Sequence, residues 1–438
     1  MTRVLLVATT TGYQTRSFGD AAERLGVELV FATDRCHAID DPWRDAAIPI
    51  RFHDEDGSVE AVLADASSRP IDGVLAVGDR PTVIAARVAA GLGLPWHSPA
   101  GAATARNKLR TRERLRDAGL AVPWFVPFSI TPDPAAISYH PLASHGGISY
   151  PCVVKPLALS GSRGVMRADD AESLGAAVAR LQRLMRSPEV RAERDGAHDL
   201  ALAEGFIPGR EYAVEAVLHH GAIHPLAIFE KPDPLNGPFF EETIYVTPPQ
   251  LTTDAQAAIL SAVSAAASAI GLRHGPIHAE CRLNAAGAFV LEVAARPIGG
   301  LCSRALRFEK RSPPVFEEDE VRLYSLEELL LSHALGESPA AWTREPRAAG
   351  VMMIPIPQRG VFRGVAGVEE ARQVAHVEDV RVTAKTDQVL VPLPEGSSYL
   401  GFIFARAERA ADVVHALRQA HARLRFAIDA EIAVRPSA

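Results

Sequence analysis

Residues 277–296, IHAECRLNAAGAFVLEVAAR, carry two glutamates twelve positions apart on either side of the turn NAAG (284–287). Read as a short antiparallel hairpin, the stretch brings Glu280 and Glu292 to one face of a sheet. Glu292 has an apolar run before it and alanines after it. A carboxylate in such a strand has to be paired or to ligate a metal, because leaving it bare is expensive. Magnesium held between carboxylates and nucleotide phosphates meets that requirement. Arg296 follows on the same side of the strand as Glu292 and is placed to stabilise charge developing on a transferred phosphoryl group. The bland alternative is a structural ion pair, Glu292–Arg296.

Working outward, only five of the 46 basic residues are lysines, so the positions of those few carry information. Lys108 lies in NKLRTRERLRDAGLAVPWF (107–125), Lys155 ends the apolar run YPCVVKP (150–156), and Lys231 ends HPLAIFEKP (224–232). A compact ammonium approaches a phosphate as a point charge where the planar guanidinium would need more room. Lys155 stands just before LSGSRGV (159–165), in which Ser160, Gly161, Ser162 and Gly164 let backbone N–H groups approach phosphate oxygens. No Gly-Lys-Ser/Thr follows, so this is not a Walker-type loop. In AEGFIPGREYAVE, Glu211 comes after a Pro-Gly turn, where a carboxylate either accepts from a ribose diol or faces solvent at a strand start.

The chain's 438 residues predict two to four domains. A hydrophobic fraction of 47% with 23% charged residues fits a soluble globular enzyme, and a formal charge of −7 argues against general binding to nucleic acid or to an anionic membrane. Cys36, Cys152, Cys281 and Cys302 are too far apart to make a metal-type pair. No stretch approaches a membrane span and no leader is evident, so the cytoplasm is the expected location.

The pattern of elements is α/β and α+β. Residues 1–103 alternate apolar strands with amphipathic helices, as in a Rossmann-like parallel-sheet domain. The first turn, TTTGYQTR (9–16), lacks the glycine spacing of a dinucleotide site. Residues 104–345 form a second region, with 104–210 bearing the glycine loop and 211–345 the acidic hairpin. Within it, 168–186 reads as a helix capped by Asp169 or Asp170, and the polar segment 187–199 as a mobile connection. Residues 346–438 read as a small α+β domain that includes a strand VLVPLP (389–394).

Lys108, Lys155 with its glycine loop, EGFIPGREY, Lys231, Glu280 and Glu292-V-A-A-Arg296 occur in an order that resembles the ATP-grasp superfamily of carboxylate–amine ligases. The whole chain is similar to bacterial L-amino-acid (dipeptide) ligases, with biotin-carboxylase-like and glycinamide-forming ligases as more distant relatives. The resemblance implies an ATP-grasp fold and ATP with Mg2+, or Mn2+ in its place, as cofactors. The implied partners are a small-molecule carboxylate and an amine, with homodimerisation a family trait. It also implies roles. Lys108, Lys155 and Lys231 contact phosphates, and residues 160–164 form a flap. Glu204, Gly205, Phe206 and Ile207 make the hinge beside adenine, and Glu211 holds the ribose. Glu280 and Glu292 hold magnesium, and Arg296 faces the acyl phosphate. Gly299 and Gly300 approach the carboxylate substrate, with Glu242, His278 and Arg304 (or Arg307) as further substrate contacts. Phe239, Phe240 and Tyr245 form an apolar wall. Many relatives carry Asn two residues after the second glutamate; here it is Ala294, which cannot ligate.

Overall fold

The computed structural model describes residues 2–9, 14–34, 47–130, 148–311 and 322–430. Cys36 and the middle of the first turn, 10–13, lie outside the described residues. Near-continuous apolar strands build the first sheet. β1 (Arg3–Ala8), β2 (Glu28–Thr33), β3 (Ile48–Pro49) and β4 (Gly73–Val77) run parallel in the order β3-β2-β1-β4. The helix Thr82–Leu92 that follows β4 closes on Gly93, whose φ of 70° favours glycine.

A second, antiparallel sheet contains β5 (Phe125–Ser129), β6 (Cys152–Pro156), β7 (Met166–Ala168) and β8 (Leu200–Gly205) in the order β5-β8-β6-β7. The helix Ala171–Met185 packs on it, and Asp170 closes a capping box with Ser173. Segment 187–199 differs from expectation. It folds as a short helix, Pro188–Arg191, and a 3-10 turn, Gly196–Asp199. The polar residues taken as a sign of mobility are caps: Ser187 accepts from the Val190 N–H and Asp195 from the Ala197 N–H.

The central sheet begins with β9 (Arg210–His219), β10 (Ala222–Glu230), β11 (Ile244–Thr247), β12 (Gly275–Asn284) and β13 (Gly287–Ala294). Next come two small sheets. One holds β14 (Arg307–Lys310), β15 (Leu323–Ser325) and β16 (Trp342–Arg344); the other holds β18 (Gly360–Ala366), β20 (Val389–Leu390) and β22 (Arg425–Ala430). The remaining strands, β17 (Ala348–Ile354), β19 (Val377–Val382) and β21 (Gly401–Ala407), join the central sheet, whose order is β13-β12-β9-β10-β11-β17-β21-β19. The last hundred residues therefore extend the same sheet that carries the acidic hairpin. VLVPLP is strand only at Val389 and Leu390, because Pro392 and Pro394 have no N–H to donate. One large apolar core joins the parallel sheet to the central sheet, with Leu5, Phe229, Ile277 and Leu330 in the same cluster.

Candidate active site

A cavity of about 540 Å³ opens between the second sheet and the central sheet. The end of β4 closes it on one side, and Met353, Tyr399 and Phe402 close it on another. The hairpin forms as the turn predicts: Glu280 and Glu292 are direct cross-strand partners, with a bulge immediately after Glu280. Both carboxylates line the cavity. So do Lys108, Lys155, Ser160, Gly161, Ser162, the hinge Glu204–Ile207, Glu211, Glu242, His278, Arg296, Gly299 and Gly300. Gly164, Lys231 and Arg304 do not line it.

Three charge networks organise this space. The first is at the hinge. Glu204 accepts from Lys155 Nζ at 2.5 Å and from Arg112 Nε at 2.8 Å, and Arg112 also donates to the Val290 carbonyl. Burial alone would raise the Glu204 carboxyl, but Arg112 and Lys155 overcome it and hold it down at about 2. Burial lowers Lys155 to about 8 in spite of Glu204. Arg112 is 1% exposed and was not singled out from the sequence, where it stands among other arginines on one helix.

The second network surrounds Lys231. Its Nζ donates to Glu211 at 2.7 Å, Glu242 at 2.5 Å and Glu280 at 2.8 Å, and lies 4.9 Å from the Tyr245 ring centroid. Lys231 thus sits behind the carboxylates as their shared counterion, instead of projecting into the open cavity as a phosphate-binding lysine would. Glu211 is also held by Arg282 Nε at 2.9 Å, and Arg282 reaches on to the carbonyls of Ile207 and Leu235. Glu211 is therefore not a solvent-facing residue at a strand start; it is buried. Burial, with Glu280 nearby, pushes Glu242 up to about 7 against the pull of Lys231. Burial disfavours a charged His278, but Glu215 Oε2, 3.1 Å from its Nδ1, and Glu280 raise it to about 9. Glu215 is fixed as an acceptor by the Ile298 N–H.

The third network joins sheets. Arg296 does not pair with Glu292. It grips Asp79, at the end of β4, through two bonds of 2.9 and 3.0 Å. Lys108 Nζ lies 3.4 Å from Glu292 and donates to the Leu159 carbonyl at 2.7 Å. Asp79 ends a strand on the side where such sheets usually bind ligands, but its partner, 217 residues away, is too distant in sequence to be inferred from it.

The flap is tied from outside the second sheet. The Gly164 N–H donates to the Pro394 carbonyl at 2.8 Å and Arg163 Nε to the Glu395 carbonyl at 2.7 Å, while Arg180 and Glu395 form a two-point ion pair. Gly164 has φ +75°, and a Cβ there would press on Leu181, Leu184 and Pro156. The proposed substrate arginines turn away from the cavity. Arg304 pairs with Asp379 at 3.1 Å and lies over Phe404, and Arg307 pairs with Glu378 at 3.0 Å. Phe240 and Tyr245 line the cavity, whereas Phe239 packs under Arg180 away from it.

The two hairpin glutamates offer oxygen donors, which suit a hard cation such as Mg2+. Glu280 and Glu292 are the residues that would hold it. Glu211, Glu242 and Glu280 also converge closely enough to share a cation, and the Lys231 ammonium already fills that role. The methyl of Ala294, paired across the strands with His278, offers no ligand.

A family model described as the ATP-grasp domain matches residues 148–305, one for the ATP-grasp N-terminal domain matches 19–96, and one for the L-amino acid ligase C-terminal domain matches 352–429. The chain thus carries an ATP-grasp domain preceded by its N-terminal domain and followed by a C-terminal domain of the L-amino acid ligase type. The crystal structure of the L-amino acid ligase from Bacillus licheniformis superposes with a TM-score of 0.76 at 27% identity, covering 98% of this chain and 99% of that one. Carnosine synthase 1 of Gallus gallus is 30% identical over 239 residues, 53% of this chain. The match spans only a quarter (25%) of the chicken protein's length. A biotin carboxylase–β-γ-ATP complex from Campylobacter jejuni shares the fold at a TM-score of 0.60 and 14% identity. No described helix is long and apolar enough to cross a membrane.

Proposed function

We propose that the protein joins the carboxylate of one amino acid to the amine of another at the expense of ATP, releasing ADP and phosphate. The observation that carries this reading is the cross-strand pair Glu280–Glu292, which lines one cavity together with Lys108, Lys155 and Arg296. A carboxylate oxygen of the first substrate attacks the γ-phosphorus of ATP, and the bond from that phosphorus to the ADP oxygen breaks. The amine nitrogen of the second substrate then attacks the acyl carbon; phosphate leaves, and the amine's surplus proton passes to solvent. No covalent protein nucleophile is needed, because positioning and charge stabilisation carry both steps.

Each residue has a part in this scheme. Lys108 and Lys155 meet the phosphates, and residues 160–164 fold over them and exclude water. The hinge, 204–207, borders the adenine, and Glu211 accepts from the ribose. Arg296, steadied by Asp79, faces the charge that develops on the transferred group. Gly299 and Gly300 leave room for backbone N–H groups near the substrate carboxylate. Lys231 holds Glu211, Glu242 and Glu280 close together as their shared donor. Mg2+ held by Glu280 and Glu292 would neutralise phosphate charge.

The test is ADP formation with Mg-ATP over a matrix of amino acids, singly and in pairs, with products identified by mass spectrometry. A product lighter by one water than the sum of its substrates, formed only from a pair, is the expected result. ATP binding without turnover for any pair, but with turnover on other carboxylates, would replace the amino-acid reading with another ligase activity. Binding with no turnover on any carboxylate would overturn catalysis altogether.

A further inference from the structure

Far along β9 from the cavity, imidazoles from three separate parts of the chain meet. His219 ends β9, His274 immediately precedes β12, and His333 lies in the helix Leu326–Ala334. A ring nitrogen from each falls within 4.8 Å of the others. His219 Nδ1 and His333 Nε2 are 3.2 Å apart. Two nitrogens on one tetrahedral zinc, each at roughly 2.0–2.1 Å, stand about 3.3 Å from each other. The pair therefore already has the spacing of one edge of such a site. The His274 ring lies 4.4 Å from that of His333 and 5.3 Å from that of His219, centroid to centroid. His220 flanks both His219 and His274, at 4.5 and 4.9 Å.

His274 and His333 are 5% and 2% exposed, and the rings packed against them are other imidazoles, gathered from three elements onto one point. The contact from the His220 N–H to His274 Nδ1 is long, at 3.5 Å. Burial, reinforced by the neighbouring rings, lowers His274 to about 4 and His333 to about 3. Their rings are neutral near pH 7, the form that has a lone pair to give. His219 is only half-buried, which leaves a way in from solvent.

We propose that His219, His274 and His333 form a binding site for a divalent transition-metal cation of the zinc class, distinct from the Glu280–Glu292 pair. Imidazole nitrogen selects zinc-type ions, whereas the Glu280 and Glu292 carboxylates suit magnesium, so ligand chemistry sorts the two metals between the two sites. Glu211 and His219 are eight residues apart on one strand, about 26 Å at roughly 3.3 Å per residue. The zinc-class ion therefore takes no part in ligation. It fastens the helix Leu326–Ala334 to the neighbouring strands β9 and β12, with its fourth position left to water on the half-exposed side.

The experiment uses the full chain without a polyhistidine tag, stripped with a chelator and titrated with Zn2+ by calorimetry and with Co2+ by visible absorption. One equivalent of Zn2+ should bind, Co2+ should give the intense d–d bands of a tetrahedral nitrogen site, and Zn2+ should raise the melting temperature. His219→Gln, at the half-exposed position, and His274→Asn should each lower Zn2+ affinity by at least about 100-fold, the upper end of what loss of a supporting partner costs. Both should remove the cobalt bands and the thermal shift. Glu280→Gln should leave all three in place. Absence of saturable Zn2+ binding, unchanged affinity in both histidine variants, or loss of binding in Glu280→Gln would each overturn the proposal.

Discussion

Lys231 Nζ donates to three carboxylates at once, each 2.8 Å away or closer, in a pocket where the lysine is 5% exposed. Removing one partner of such a buried cluster leaves uncompensated charge, which costs about 3–5 kcal/mol. Lys231→Met is expected to lower stability by that amount in urea unfolding, and an unchanged midpoint would contradict the counterion role. Glu280→Gln and Glu292→Gln should both fold and should both lose ligand-dependent ADP release in the coupled assay. His278 gives a pH signature. Its folded value of about 9 lies above the ordinary 6.5, so its contribution is complete below pH 6.5 and is lost as pH rises through 9. Glu242, raised from 4.5 to about 7, also favours the folded state at low pH and loses that contribution by pH 7. Lys155, lowered from 10.5 to about 8, acts in the opposite sense above pH 8. Glu242 and the buried histidines His97, His274 and His333, held down at about 4, 4 and 3, titrate alike in the parent and in His278→Gln, so the difference between the two isolates His278. That difference in stability, parent minus variant, should shrink as pH rises from 7 to 9 in denaturant midpoints.

At the scale of elements, the acidic hairpin and the flap behave differently as objects of sequence reading. The hairpin was legible because both glutamates, the turn between them and the alternation of faces lie within twenty residues, so local geometry sets their register. Arg112, Arg282 and Asp79 were not legible. Each depends on a partner from another element, 92 residues away for Arg112 and Glu204, 71 for Arg282 and Glu211, and 217 for Arg296 and Asp79. Nothing in a local window marks one arginine among many as the buried one. The glycine loop at 159–165 is visible in the sequence, but its attachment to Pro394 and Glu395, which comes from the far end of the chain, is not. That attachment predicts a mechanical effect. Glu395→Gln should weaken the pair with Arg180 and raise the rate of limited proteolysis within residues 159–165, with ATP restoring protection. Gly164→Ala, forced to keep φ near +75°, should cost about 1–2 kcal/mol and raise the KM for ATP more than it lowers kcat.

At the scale of the whole molecule, the central sheet is the object to test. The region after residue 346, read from the sequence as a small α+β domain, supplies β17, β21 and β19, the outer strands of the sheet that contains Glu280. Edge pairing across so many residues has no local signature, because it is decided by which apolar faces meet once the chain has collapsed. A chain ending at residue 346 would expose the β11 edge, which pairs with β17 over four residues, and should be aggregation-prone and unable to bind nucleotide. Soluble, monodisperse material that still binds ATP would refute this.

The same topology fixes the order in which the site matures during synthesis. Lys108, Lys155, Glu280, Glu292 and Arg296 all emerge from the ribosome before Met353, Tyr399 and Phe402, and before the segment at Pro394 and Glu395 that fastens the flap. A nascent chain therefore has the residues proposed to meet phosphates while part of the cavity wall is still untranslated. On the proposed function, turnover waits on the last strands, and an interrupted translation product carries the charges of the site without its enclosure.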